Sequence, residues 1–190
     1  MKQTYRAWLI AVIVIIAMAF TACPTNDNPG IPQSIIMKTA ITGNVSIGLK
    51  GENIAVNWGD GKAEIIGNLD VMTDFPHNYT ISTERTITIT GVIYELSCNG
   101  MELKSLDCKN NSLSNLDVSD NPEIVRIECN NNNLETAAVL ALLNSLPTRS
   151  VDNKGYIDLS GNPGVVVGSK SVYGSVKTVT SAAKFWEIID

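Results

Sequence analysis

Four cysteines and a single histidine are the residues best placed by type to do chemistry: Cys23, Cys98, Cys108, Cys129 and His77. A structural zinc site asks for closely spaced cysteine pairs, and these cysteines occur singly. His77 has two readings, as a general base or metal ligand, or as a packed ring at a strand start beside Trp58 and Asp60. Neither a nucleophile partner nor a ligand cluster accompanies it, so packing is the expected role, and Asp60 reads as a turn-capping carboxylate. Hydrolysis by paired carboxylates needs two acids at a catalytic separation, and no motif marks such a pair. No catalytic residue, metal ligand or cofactor is expected.

Cys23 stands apart because of what precedes it. Lys2 and Arg6 make a basic start, Trp8 to Phe20 runs without a charge, and Thr21-Ala22-Cys23 follows. A charged head, a short apolar centre and a small-residue cleavage site are the anatomy of a secretory signal. Spanning a bilayer takes about 20 apolar residues, more than this run supplies before Pro24. The site resembles a bacterial lipobox, with Phe20 where an aliphatic residue is usual. That resemblance implies export, cleavage after residue 22 and a lipidated Cys23. Several acyl chains hold a protein durably where one does so reversibly. Residues 23–34, rich in Pro, Asn and Gly, then read as a tether.

Composition narrows the partners. The 190-residue chain carries 14 Lys and Arg against 19 Asp and Glu. Residues 1–22 hold two of the basic residues and none of the acidic ones, so the rest is more acidic still. An acidic chain without a basic cluster is a poor match for nucleic acid. With Cys23 lipidated, three cysteines remain, an odd number that does not suggest a disulfide framework.

Between residues 35 and 91 apolar and polar residues alternate: Val45-Ile47-Leu49, Ile54-Val56-Trp58 and Ile87-Ile89. Such period-2 runs mark half-buried antiparallel strands, and Asp60-Gly61 suits a hairpin turn. The sequence Ile54-Ala-Val-Asn-Trp-Gly-Asp-Gly61, then His77-Asn-Tyr79, then Thr86-Ile-Thr-Ile-Thr-Gly91 is similar to the PKD-like β-sandwich pattern. The resemblance implies an immunoglobulin-like module, a spacer or a weak glycan- or protein-binding domain.

From residue 92 the chain repeats. Ile93-x-x-Leu96-x-Cys98 leads to Leu103-x-x-Leu106-x-Cys108-x-x-Asn111-x-Leu113, then Leu113-x-x-Leu116-x-Val118-x-x-Asn121, then Ile124-x-x-Ile127-x-Cys129-x-x-Asn132-x-Leu134. The starts step by 10 or 11 residues, and a short fixed period predicts stacked coils that bury one another's apolar faces. The pattern resembles the leucine-rich-repeat signature. Cysteine at its fixed place is a small buried hydrophobe, and Asn111, Asn121, Asn132 and, further on, Asn162 are expected to form a ladder satisfying backbone groups. If each repeat is one coil, Cys98 and Cys108 sit on adjacent coils, where free thiols are expected and a disulfide stays open.

Thr136 to Leu146 reads as a helix, with Thr136 able to cap it and Pro147 beyond it. Tyr156 to Gly164 restores the strand-plus-Asn phrase, residues 165–177 form a connector, Thr180 to Trp186 reads as a second helix, and Glu187 to Ile189 as a closing strand. The layout resembles small secreted leucine-rich-repeat lipoproteins of Gram-negative anaerobes, with Leu116-Asp-Val-Ser-Asp-Asn-Pro122 close to their LDVS-x-NP element.

The expected fold is therefore mainly β with α/β character. It comprises a signal (1–22), a tether (23–34), a PKD-like sandwich (35–91) and a leucine-rich-repeat solenoid with a helical C-terminal cap (92–190). The expected function is non-catalytic binding or adhesion at the outer membrane, at the cell surface or facing the periplasm. The partners are the membrane, through the lipid, and a protein or glycan. The candidate face is two rows, Ser105, Asn115 and Arg126 beside Asp107, Asp117 and Glu128. A glycan-capture accessory of an uptake system, with Trp58 stacking on sugar, is the alternative, and a carboxylate-dependent hydrolase ranks last.

Overall fold

The computed structural model describes residues 34–165 and 184–190. Cys23, the segment before it, most of the tether and most of the connector lie outside them. So does the helix expected from Thr180, apart from its last residues. The chain is mainly β. In order it forms β1 (Ile35–Thr39), β2 (Gly43–Asn57), β3 (Ala63–Tyr79), β4 (Arg85–Ser97), β5 (Leu103–Asp107), β6 (Asn115–Asp117) and β7 (Arg126–Glu128), then α1 (Thr136–Ser145), β8 (Gly155–Asp158), a 3-10 turn at Pro163–Val165, and β9 (Trp186–Ile189). The nine strands among the described residues belong to one mixed sheet in the order β3-β2-β4-β1-β5-β7-β8-β9, with β6 attached to β4.

The first four strands are long and antiparallel. Val45, Ile47, Leu49, Ile54, Val56, Ile87 and Ile89 are all buried, so the alternation along β2 and β4 faces a core, as period 2 requires. Register irregularities fall between Leu49 and Ala55 on β2, and β4 passes them at Gly91. Gly91 has φ +120°, and a Cβ there would lie 2.6 Å from the Glu52 carbonyl oxygen. Only glycine allows both the dihedral and the close backbone approach. β4 crosses residue 91 unbroken, so one strand serves both the first region and the repeats.

Beyond β4 the strands are short and parallel, and they sort into two ladders. β4 pairs with β6, Glu95 opposite Asn115. β5 pairs instead with β7, Ser105 opposite Arg126, and β7 with β8, Arg126 opposite Tyr156. The repeat therefore advances by 20 or 21 residues at first, and the ten-residue step seen in the sequence is half of that advance. Alternate phrases visit alternate ladders around a shared core containing Leu96, Leu106, Leu116 and Ile127. The correction has a simple physical origin: both ladders bury the same apolar pattern, so the pattern alone cannot separate them.

The corners between ladders have a common backbone. Asn110, Asp120 and Asn131 each have φ 53°, and Gly100 and Gly161 have φ 66° and 72°. These residue types tolerate the left-handed region, and the chain uses one of them two residues after each Cys98, Cys108, Val118, Cys129 and Leu159.

Helix α1 follows the repeats and buries Val139, Leu142 and Leu143. Glu135, not Thr136, is its N-cap, and no side chain caps it. At its other end Lys184 Nζ donates to the Asn144 and Leu146 carbonyls at 2.7 and 2.8 Å, placing a cation where a helix terminus favours one. Trp186 opens strand β9 and does not end a helix. Its ring lies over Gly155, where a Cβ would overlap it, and its Nε1 donates to the Pro147 carbonyl at 2.8 Å. No helix among the described residues is long and apolar enough to cross a membrane.

Candidate functional site

Cross-strand register determines which side chains line up. Thr86 of β4 lies opposite Lys38, Lys38 opposite Ser105, Ser105 opposite Arg126, Arg126 opposite Tyr156 and Tyr156 opposite Glu187. A second row runs through Asn57, Thr88, Ile36, Asp107, Glu128, Asp158 and Ile189. Neighbouring strands are about 4.8 Å apart, so seven steps across the eight-strand path give a face roughly 34 Å wide.

Four of the six candidate residues, Ser105, Asp107, Arg126 and Glu128, share this face. Asn115 and Asp117 do not. They belong to β6, beside Glu95 and Ser97 of β4. Tyr156 and Asp158, which are not among the candidate rows, take their place. The signal was present, since Tyr156-Ile157-Asp158 repeats the spacing of Arg126-Ile127-Glu128.

Charges on the face are largely satisfied within the chain. Lys109 Nζ lies 3.3 Å from both Asp107 and Glu128, and Arg126 Nε donates to Glu128 at 2.7 Å. Partial burial works to raise the Glu128 carboxyl, but hydrogen bonds from Arg126 and Lys109 outweigh it and hold the group below its ordinary range. Partial burial also works to lower the Lys109 ammonium, and the attraction of Asp107 and Glu128 raises it overall. The Arg126 guanidinium sits over the Tyr156 ring, 4.5 Å from its centre, a cation–π geometry. Asp117 and Asp158 serve turns: each Oδ1 accepts from the backbone N–H of Ser119 or Ser160 at 2.9 Å and from that serine's hydroxyl at 2.7 Å.

Asparagine amides stitch the repeats together from inside. Asn132 Oδ1 accepts from the Leu113 N–H at 3.0 Å, while its Nδ2 donates to the Cys108 and Cys129 carbonyls at 2.9 and 3.1 Å. Asn121 does the same for Leu103, Cys98 and Val118, and Asn162 for Leu134, Cys129 and Leu159. Asn111 differs. Its Nδ2 donates to the Cys108 and Lys109 carbonyls, but its buried Oδ1 has no partner among the described residues. The backbone that would supply one belongs to β4, where Ile93 is paired with Gly51 of β2. The ladder therefore begins at Asn121.

The cysteines are structural. Cys98, Cys108 and Cys129 are free and buried, and burial pushes each thiol upward, away from the reactive thiolate. Cys98 N–H bonds to Asp117 and Cys108 N–H to Glu128, so these two cysteines lie on different ladders and not on adjacent rungs of one.

The aromatic cluster of the first region is also internal. Trp58 is fully buried and stacks on His77 with ring centres 4.3 Å apart, so it offers no platform to a sugar. His77 Nε2 lies 2.9 Å from Asp60 Oδ2. The Tyr79 hydroxyl donates to the Trp58 carbonyl at 2.7 Å, and burial pushes that phenol upward. Arg85 lies over the Tyr79 ring at 3.8 Å. Desolvation works to raise the Asp60 carboxyl, yet the hydrogen bonds with His77 and the Lys62 N–H leave it below its ordinary value. Together these contacts close the Trp58–Lys62 turn onto β3. Among the described residues, no group of three or more His, Cys, Asp or Glu is arranged to hold a metal ion.

No family model matches the chain, and no curated protein or solved structure matches it at a significant level.

Proposed function

We propose that the chain is a non-catalytic, lipid-anchored envelope protein that binds a partner protein across its broad sheet face. In this reading Cys23 carries the lipid, the first four strands are a PKD-like module, and the repeats are a short leucine-rich-repeat solenoid closed by α1 and β9. The observation that carries it is the register. Side-chain rows run from Thr86 and Lys38 into Ser105, Arg126, Tyr156 and Glu187 without a break, so both regions contribute to one surface.

A protein fits this surface better than a glycan. Trp58 is buried, and Tyr156, the aromatic residue in the rows, is covered by Arg126. A face of hydroxyls and paired charges suits a polar protein interface with few anchors, and Arg126 with Tyr156 is of the type that dominates such interfaces.

Two measurements test the reading. Labelled palmitate should enter the wild-type chain and not Cys23→Ala, and label in both would remove the lipid anchor from Cys23. Surface-immobilised full chain should bind members of a panel of purified envelope and extracellular proteins. The double variant Arg126→Ala/Tyr156→Ala should lose about tenfold or more in affinity. Unchanged binding by that variant, or binding confined to a polysaccharide panel, would overturn the assignment of face or partner.

A further inference from the structure

The edge of the sheet farthest from the repeats carries a second feature, unrelated to the rows above. On β3, Thr73 pairs with Leu49 and Leu69 pairs with Gly51, so Asp70, Val71 and Met72 stand opposite Lys50 alone. An excess of residues on one strand forces a bulge that re-aims side chains. Val71 is 69 % exposed and Met72 38 % exposed, on a strand whose only neighbour among the described residues of the sheet is β2.

The strand that carries this apolar pair has one sign of charge, and Lys50 opposite it on β2 is engaged by Glu95 at 2.7 Å. From Ala63 to Tyr79 the strand carries Glu64, Asp70 and Asp74 and no Lys or Arg. Glu64 is engaged by Trp58 Nε1 at 2.9 Å. Asp70 and Asp74 form no ion pair among the described residues, and they flank the exposed pair. Two copies meeting edge to edge here would bring these acids together, and the bulge with Pro76 further blunts strand addition. A second copy is therefore a poor occupant.

Two of these side chains, Met72 and Asp74, lie over the bare backbone of β2. A Cβ on Gly48 of β2 would come within 3.1 Å of Asp74 Oδ1 and 3.3 Å of Met72 Sδ. The bare glycine thus leaves room for both to lie across β2. Gly48 is not among the residues with positive φ, so alanine there would disturb the overlying side chains without straining the backbone.

We propose that Asp70, Val71, Met72 and Asp74 form a protein-docking knob for a partner that presents an apolar pocket rimmed by Lys or Arg. The exposed pair supplies the apolar anchor. The unpaired carboxylates select a basic rim and repel acidic surfaces, this chain's own included.

The test uses the full chain in the cells that make it, with a photo-crosslinking amino acid at Val71 and, as a control, at Val151, which is 64 % exposed in the loop after α1. A discrete adduct with a different protein is expected at position 71 and not at 151. Its yield should fall about tenfold in Asp70→Lys/Asp74→Lys, less in Asp70→Asn/Asp74→Asn, and should drop with added salt, as screened contacts do. Gly48→Ala should lower the yield although residue 48 lies outside the knob. Absence of an adduct, an adduct of twice the chain mass, the same adduct at both positions, or a yield indifferent to charge reversal would each overturn the proposal.

Discussion

The two halves of the sheet reach stability by different means. In the first four strands, long antiparallel pairings run from Gly43 opposite Tyr79 to Asn57 opposite Ala63, and buried alternating side chains hold the register. Their special positions are glycines at bends, Gly91 above all, and the aromatic cluster that closes one turn. The repeats have strands of three to five residues, too short to fix a register alone. There the fixed points are buried amides, each joining a turn to its predecessor. Long strands spread their stability over many contacts, whereas short ones concentrate it in a few polar residues.

The largest effects should follow from removing a concentrated contact. Asn132→Ala strands the Leu113 N–H and removes one of two amide donors from each of the Cys108 and Cys129 carbonyls, which keep Asn111 and Asn162. With about 1–3 kcal/mol for the buried N–H left unpaired and about 1 kcal/mol for the other lost amide bonds, a loss of roughly 2–4 kcal/mol is expected in urea unfolding. Asn111→Ala should cost only about 1 kcal/mol, because its Oδ1 already lacks a partner. Equal losses at the two sites would refute the view that the ladder starts at Asn121. In the first region Gly91→Ala should approach the size of the Asn132 effect, about 3 kcal/mol, from left-handed strain and overlap with Glu52.

A smaller effect separates the aromatic cluster from the ladder. Tyr79→Phe removes the hydrogen bond to the Trp58 carbonyl and should lower stability by about 1–2 kcal/mol, with Trp58 fluorescence reporting the loosened turn. The weakest contrast is electrostatic. Asp60 has a depressed carboxyl, so its contribution is present above the unfolded value near about 3.9 and is lost as pH falls through the lower folded value. Asp60→Asn should remove that acid dependence, less than about 1 kcal/mol for a partly exposed pair, as measured by thermal unfolding between neutral and strongly acid pH. Glu128→Gln should do likewise in the repeats.

Much of this was legible in the sequence. The alternation of Ile87 and Ile89, the turn at Asp60-Gly61, the packed role of His77, helix α1 and the buried Asn121, Asn132 and Asn162 all follow from residue type and short spacing, even where, as at His77 and the asparagines, the contacts made are distant in the chain. The division into two ladders did not follow. Leu106 and Leu116 carry the same signature yet lie on different ladders, so Asn115 and Asp117 were grouped with a face they do not share. Asn111 matches its fellows in sequence and differs only because β4 is already engaged by β2. The bulge at Val71 was equally hidden, since it arises from a mismatch in residue number between two strands.

The most direct test of the account is to ask which residues are neighbours across the face. Cysteine pairs at positions 38 and 105, at 105 and 126, and at 105 and 115 would be treated with a short thiol crosslinker, the native cysteines being buried. The account predicts rapid bridging of 38 with 105 and of 105 with 126, and none of 105 with 115. Bridging of 105 with 115 in place of 105 with 126 would mean one ten-residue phrase per turn, and the continuous face would not exist.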